Sequence, residues 1–237
     1  MKLKIFILIL LCALVLHYNN INTHSNKVTA SNVKSVSNIQ EKVVPKLNVI
    51  YRPIKWSKRR EELIREYTQI HYGKKITNIT PQTIIIHWTV SNDAESVYQY
   101  FYNETMPDDG GGRLNVASHY LVDKDGTIYQ LTSETALNRH AIGYNWCAIG
   151  IENVGGVDGK EDLTEAQVKA NIAIIRYLKA KYNTIKYVWG HYQQYKAKDS
   201  NLFIEKIPDY YAEKIDPGQI FMKKLKEGLS EEGLKFY

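Results

Sequence analysis

From about residue 81 onward, segments patterned as strands alternate with segments patterned as helices. That alternation points to an α/β fold, a single domain with a mixed central β-sheet flanked by helices. Two features strengthen it. Thr83 to Val90 (Thr-Ile-Ile-Ile-His-Trp-Thr-Val) is a β-branched apolar run of the kind buried on both faces of a sheet. Thr164 opens a long amphipathic segment, with Gln167 completing a capping box and Val168, Ile172, Ile175 and Leu178 on one side.

The elements follow in order. Residues 57–71 suit a helix with Ser57 as N-cap and Leu63, Tyr67 and Ile70 on one face. After the strand at 83–90, Ala94 to Glu104 reads as a helix. Val116 to Val122, the turn Asp123-Lys124-Asp125-Gly126 and Thr127 to Leu131 make a hairpin signature, Gly126 supplying the positive φ. Ala148 to Val154 is a further strand ending at Gly155-Gly156, and Tyr187 to Gly190 a short one after the long helix. Asp216-Pro217-Gly218 opens the last helix with Pro217 as its first residue, and Gly228 stops it. There is no internal repeat.

The chain has 237 residues, 44% apolar and 24% charged, enough for one substantial core. That composition excludes a polytopic membrane protein, a collagen-like fibre and a mostly disordered chain. Thirty-one basic against 25 acidic residues leave a net charge of +6, which favours an anionic polymer as partner. No basic run is interleaved with aromatics, so cell envelope is expected and nucleic acid is not. No long apolar heptad run argues for assembly, so a monomer is expected.

At the N-terminus, Lys2 and Lys4 precede twelve consecutive apolar residues, Ile5 to Leu16. This is the pattern of a secretory signal, and the stretch is short for a bilayer span. No small-x-small cleavage site follows, so an uncleaved membrane tether is the alternative. The expected organisation is a signal or tether at 1–20, a polar stalk at 21–46, an extension with one helix at 47–80, the main domain at 81–228 and a tail at 229–237. An exported location follows: periplasm, envelope or outside. Of two cysteines, Cys12 lies inside the apolar stretch, which leaves Cys147 as a lone, buried apolar residue.

Several polar residues end or interrupt apolar strands, where they are costly unless paired, liganded or functional. His87 ends Ile84-Ile85-Ile86, His191 follows Val188-Trp189-Gly190, and His119 opens the hairpin strand. Glu152 stands in Ile149-Gly150-Ile151, and Asp216 precedes the last helix. Each alone also reads as a hydrogen-bonded core residue, a helix cap or a solvent-facing strand end. Together they supply two imidazoles, a carboxylate and a separate glutamate, the inventory of a catalytic zinc site at strand ends. No His-Glu-x-x-His, Gly-x-Ser-x-Gly or phosphate-binding loop is present.

The segments Ile-Ile-His-Trp-Thr, Ser-His-Tyr-Leu-Val-Asp-Lys-Asp-Gly-Thr-Ile-Tyr-Gln, Arg-His-Ala-Ile-Gly, Ile-Gly-Ile-Glu-Asn, Leu-Thr-Glu-Ala-Gln, Val-Trp-Gly-His and Lys-Ile-Asp-Pro-Gly occur in that order. In this the chain resembles the zinc N-acetylmuramoyl-L-alanine amidases. This type 2 superfamily includes AmpD-like enzymes, T7-type phage lysozymes and peptidoglycan recognition proteins. The resemblance runs from about Thr83 to about Leu225.

The resemblance implies His87, His191 and Asp216 as ligands of one Zn2+, Glu152 as the catalytic glutamate and Lys214 as the lysine that stabilises the oxyanion. It implies His140 as a residue lining the substrate groove, a structural loop role being equally open, and leaves His119 in the core. The segment between His191 and Asp216 is longer than in compact members, which makes Asp199 and Asp209 rival third ligands; Asp216 is preferred because Lys214 and Pro217-Gly218 accompany it. That inserted segment reads equally as a substrate wall or as packing. The implied reaction is hydrolysis of the amide between N-acetylmuramic acid and L-alanine in peptidoglycan or muropeptides. A non-catalytic peptidoglycan-recognition module and a secreted toxin or phage-derived lysin are the alternatives.

Overall fold

The run expected as a central strand forms β2 (Thr83–Trp88), and every one of its residues is buried. The computed structural model describes residues 43–237; the expected signal or tether and nearly all of the expected stalk lie outside the described residues. Around β2 the described residues build a seven-stranded sheet. The strands are β1 (Ile50–Tyr51), β2, β3 (Tyr120–Val122), β4 (Ile128–Gln130), β5 (Ala148–Asn153), β6 (Tyr187–Gly190) and β7 (Lys235–Phe236), in spatial order β1-β4-β3-β5-β2-β6-β7. Only the β3–β4 hairpin is antiparallel, so the sheet is mixed, as expected.

Four helices cover the sheet: α1 (Lys58–Tyr72), α2 (Ala94–Tyr102), α3 (Glu165–Lys181) and α4 (Gln219–Gly228). The side chains of a strand alternate between faces, and this divides the sheet in two. Ile84, Ile86, Ile149, Ile151 and Val188 join a core with Val168, Ile174, Ile175 and Leu178 of α3 and Phe221, Met222 and Leu225 of α4. Ile85, Ala148 and Trp189 belong to the opposite face, with Tyr144, Cys147 and Leu202. His87 and Glu152 have the parity of this second face, which is why the chemistry gathers there.

Several boundaries differ from the sequence reading. In α1 the buried stripe is Leu63, Ile64, Tyr67 and His71, while Ile70 is 47% exposed. The i, i+4 spacing from Leu63 through Tyr67 ends on a histidine, which burial alone would penalise and which a buried partner, described below, satisfies. Residues 116–118 stay outside the ladder, Ala117 N donating to the loop carbonyl of Arg139; His119 already bonds Gly150 and Leu131 through its backbone, and β3 runs from Tyr120. In α3 the capping box of Thr164 and Gln167 forms as expected, but Ile174 is fully buried and Ile172 only partly. The last helix begins at Gln219 instead of Pro217, since Gly218 has φ 88° and ψ 160°, far from helical values. The short edge strands β1 and β7 carried no sequence signal, as two residues are too few to show a period.

Residues before 81 and after 228 share this core. Leu63, Ile64, Tyr67 and Tyr72 of α1 belong to the same apolar cluster as the sheet, and the C-terminal residues add β7 beside β6. Arg60 is buried and donates to the carbonyls of Phe101 (2.9 Å) and Asn103 (2.8 Å), so α1 caps the C-terminal end of α2. Cys147 is buried and unpaired, and burial pushes its thiol well above the ordinary range.

Candidate active site

Parallel pairing sets three side chains in a row at the carboxyl ends of neighbouring strands. In the β2–β5 register His87 is the partner of Glu152, and in the β2–β6 register Ile86 is the partner of Gly190, the residue before His191. Carboxyl ends of parallel strands are where open α/β sheets place ligands, because the chain leaves the sheet there and exposes a crevice. Asp216 arrives from outside the sheet. Its carbonyl accepts from Tyr192 N at 2.9 Å, which ties the 216–218 segment to the turn carrying His191. Gly190 makes that docking possible: a Cβ there would lie 2.7 Å from Pro217 Cδ and 2.8 Å from the Tyr192 ring.

Three potential ligand atoms converge. His87 Nδ1 lies 3.0 Å from His191 Nδ1 and 3.1 Å from Asp216 Oδ2, and His191 Nδ1 lies 3.2 Å from the same oxygen. All three residues are buried, and no other such group of histidine, cysteine and carboxylate side chains occurs among the described residues. Asp199 and Asp209 do not join it. Burial and the neighbouring His191 push the His87 imidazole down to about 4, although Asp216 acts to raise it. Burial alone would raise the Asp216 carboxyl, but His191 and His87 outweigh it and hold it far below the usual carboxylate range. Two imidazole nitrogens and a carboxylate oxygen gathered this closely are satisfied by a proton or a metal cation held between them.

The donor set fits zinc. Four-coordinate zinc with bonds of about 2.0–2.1 Å needs its ligand atoms about 3.3 Å apart, close to the observed triangle, and two nitrogens with one carboxylate oxygen are ligands it takes readily.

Glu152 is half-buried beside this triangle, its Oε2 buried without a hydrogen-bond partner. Burial, then the Asp216 charge, push its carboxyl well above the usual range, while Lys214 acts in the opposite direction. A cavity of about 210 Å3 brings Glu152, Lys214, His87, His191, Asp216 and His140 to one wall system. A second, of about 390 Å3, continues along Arg139, His140, His191 and Lys214 to Asp209, Tyr210, Tyr211 and Ala212. The inserted segment therefore walls the cleft. It also packs: Phe203 lies against Gly143, where a Cβ would come within 2.4 Å of its ring, and Leu202 joins the core.

His140 lines both cavities and also meets the triangle, its Nδ1 lying 3.1 Å from His87 Nε2. Burial, then the neighbouring His87 and His119, hold its imidazole well below the ordinary histidine range. His119 is buried, accepting from Gly150 N (3.0 Å) and donating to the Ala136 carbonyl (2.9 Å). Sequence reasoning missed three supports. Asn145 Oδ1 accepts from the backbone N–H groups of His140 (2.9 Å) and Ala141 (2.7 Å), and Asn145 Nδ2 donates to the Tyr67 hydroxyl (2.9 Å) on α1. Arg139 Nη2 donates to Asp109 and to Tyr210 of the wall, and Nη1 to two loop carbonyls. His71 Nδ1 lies 2.8 Å from Glu205 Oε2, which pins the inserted segment to α1. Only the adjacency of Arg139 to His140 hinted at any of these.

Residues 77–219 match the family model described as N-acetylmuramoyl-L-alanine amidase. The chain is 30% identical to the endolysin of Enterobacteria phage T3 over 107 residues, 44% of this chain and 70% of the relative. Among solved structures it resembles the endolysin N-acetylmuramoyl-L-alanine amidase LysCS from Clostridium intestinale URNW, with a TM-score of 0.51 at 22% identity, covering 81% of this chain and all of that one. A selenomethionine derivative of AmpD gives a TM-score of 0.50 at 19% identity, covering 78% of this chain and 99% of that one. At such identities these two likenesses concern the fold.

Proposed function

Since the chain belongs to the N-acetylmuramoyl-L-alanine amidase family, we propose that it is a zinc-dependent amidase cutting the amide between N-acetylmuramic acid and L-alanine in peptidoglycan or muropeptides. The observation that carries this reading is the triangle of His87 Nδ1, His191 Nδ1 and Asp216 Oδ2 beside the unpartnered carboxylate oxygen of Glu152. His87, His191 and Asp216 would hold one Zn2+. Zinc so held would supply Lewis acidity, making water acidic enough to lose a proton near neutral pH.

The remaining steps belong to the protein. Glu152 accepts the proton of the attacking water and delivers it to the departing amide nitrogen, acting as base and then as acid. A carboxyl held above the usual range suits both halves of that transfer. The Lys214 ammonium, on the wall of the same cavity, faces the oxygen where negative charge develops. The carbonyl carbon gains the water oxygen and the C–N bond breaks, leaving a lactyl carboxylate and a peptide with a free L-alanine amine. The rest of the stem peptide or glycan would lie along the cleft that continues past Tyr210 and Tyr211.

We place this activity outside the cytoplasm, where the wall polymer lies. The apolar stretch after Lys2 and Lys4 serves in this reading as an export signal or tether. The deciding measurement pairs zinc content with product analysis on purified muropeptides, for the protein and its Glu152→Gln variant. Zinc in both, with L-alanine-bearing peptide released by the parent alone, is the expected result. Muropeptide bound but left intact by the zinc-loaded parent would make the chain a recognition module instead.

A further inference from the structure

We propose that His140 is a positioning residue for His87, fixing the tautomer that leaves His87 Nδ1 as a free lone pair aimed at the metal position. This rests on the reading of His87 as a metal ligand, and it assigns His140 a task beyond lining the groove.

The direction of the hydrogen bonds follows from one carbonyl. His140 Nε2 lies 3.3 Å from the Ala148 carbonyl oxygen, which can only accept, so Nε2 donates; the ring has no carboxylate among its hydrogen-bond partners to favour a second proton, and its one proton sits there. His140 Nδ1 is then an acceptor, and the atom 3.1 Å from it, His87 Nε2, must be the donor. A neutral His87 protonated at Nε2 has its lone pair on Nδ1, the atom that faces His191 and Asp216. The relay thus runs from a backbone carbonyl of β5 to a side chain of the adjacent strand. Metal-ligating imidazoles generally depend on such a partner at the other ring nitrogen for tautomer and orientation.

The surroundings hold His140 in this pose. A Cβ on Gly150 would lie 2.9 Å from both Cγ and Nδ1 of the His140 ring, so glycine there lets the ring lie against β5. The backbone of His140 is fixed through Asn145, which in turn bonds Tyr67. Helix α1, outside the segment matched to the family, therefore reaches the ligand His87 through Tyr67, Asn145 and His140. His191 has no counterpart, as its Nε2 is buried without a hydrogen-bond partner.

The test compares the full-length protein with His140→Ala and His140→Asn. The Asn amide oxygen can occupy the place of Nδ1 and accept from His87 Nε2–H, whereas Ala cannot. Zinc affinity is read by chelator competition, and the His87 tautomer by 15N spectra of the metal-free, histidine-labelled proteins. The expected result is a proton on His87 Nε2 in the parent, loss of that preference in His140→Ala with zinc bound about 10–100-fold more weakly, and recovery of most of both in His140→Asn. Unchanged zinc affinity and tautomer in His140→Ala, with only KM raised, would reduce His140 to a groove residue and overturn the proposal. So would failure of His140→Asn to recover either quantity while its melting temperature matches the parent. A parent with the Nε2–H tautomer and bound zinc that leaves muropeptides intact would sink the amidase reading and leave this inference standing.

Discussion

His87 and Glu152 are register partners on the adjacent parallel strands β2 and β5, so their side chains leave the same face of the sheet side by side. One lies 3.1 Å from Asp216 Oδ2, and the other keeps a buried carboxylate oxygen free of any partner. The proposed metal ligand and the proposed proton-transfer group are thereby set next to each other by backbone pairing alone, without a loop between them.

Glu152→Gln is the sharpest test of that arrangement. The amide is nearly isosteric but cannot carry the proton, so turnover should fall by about 10²–10⁴-fold while zinc content stays at the parental level. Metal analysis beside a muropeptide assay reads both quantities, and loss of zinc in this variant would put Glu152 among the ligands.

The proposed metal ligands should behave differently. His87→Ala, His191→Ala and Asp216→Ala should each lose zinc and activity together. Chelator treatment of the parent should lower its melting temperature, because a ligand at 1,000 times its Kd stabilises the folded state by about 4 kcal/mol. Calorimetry with and without added zinc measures this shift; a chelator-insensitive melting curve argues against a tightly held ion.

Lys214 is exposed on the cavity wall and lies close enough to Glu152 to oppose, in part, the rise that burial and Asp216 impose on its carboxyl. If it meets charge that appears only in the transition state, Lys214→Ala should cut kcat by about 10²–10³-fold and leave KM and zinc content little changed. A variant that raises KM alone would make Lys214 a binding group.

The fold should be acid-sensitive through Glu134. Its carboxylate accepts from Tyr120 (2.6 Å) and Tyr182 (2.7 Å) and pairs with Lys181 (2.7 Å). Burial alone would raise its pKa, but these partners outweigh burial and hold it below its ordinary 4.5. With the folded value below the unfolded one, the contribution is complete above pH 4.5 and fades as pH falls through the folded value. Glu134→Gln should therefore cost about 1–3 kcal/mol at pH 7 and progressively less as pH falls below 4.5. Melting curves across that range should converge, and parallel curves would deny Glu134 this role.

The clamp between α1 and the cleft wall is testable through His71, fully buried against Glu205. His71→Leu strands a buried carboxylate and should destabilise the protein by about 3 kcal/mol, with His71→Leu/Glu205→Leu recovering part of the loss. Denaturant titration of the single and double variants reads the coupling, and additive effects would mean that the contact does not hold the wall.

The legible parts of this molecule were those with a strong local signal. Thr83–Val90 announced β2 by composition, and the Thr164–Gln167 box announced the start of α3. Gly126 gave away the hairpin because its turn needs a positive φ, 88° in the structure. Ile70 misled because helical spacing cannot tell an apolar residue facing solvent from one facing a core. β1 and β7 were invisible because their pairing depends on distant partners.

By itself the sequence determined which residues are candidates for chemistry, and their order along the chain. His87, His191, Glu152 and Asp216 stood out because they sit in local contexts where an unpaired polar group would be costly, and the family resemblance supplied their proposed roles. Only the tertiary structure decided that His87, His191 and Asp216 meet at one point, since 104 residues separate the first pair and 25 the second. The same holds for His140. Its contact with His87 crosses 53 residues and depends on an absent Cβ at Gly150 and on Asn145 bonded to Tyr67. Contacts across such separations arise from strand register and side-chain packing, which act in space and leave no period along the chain.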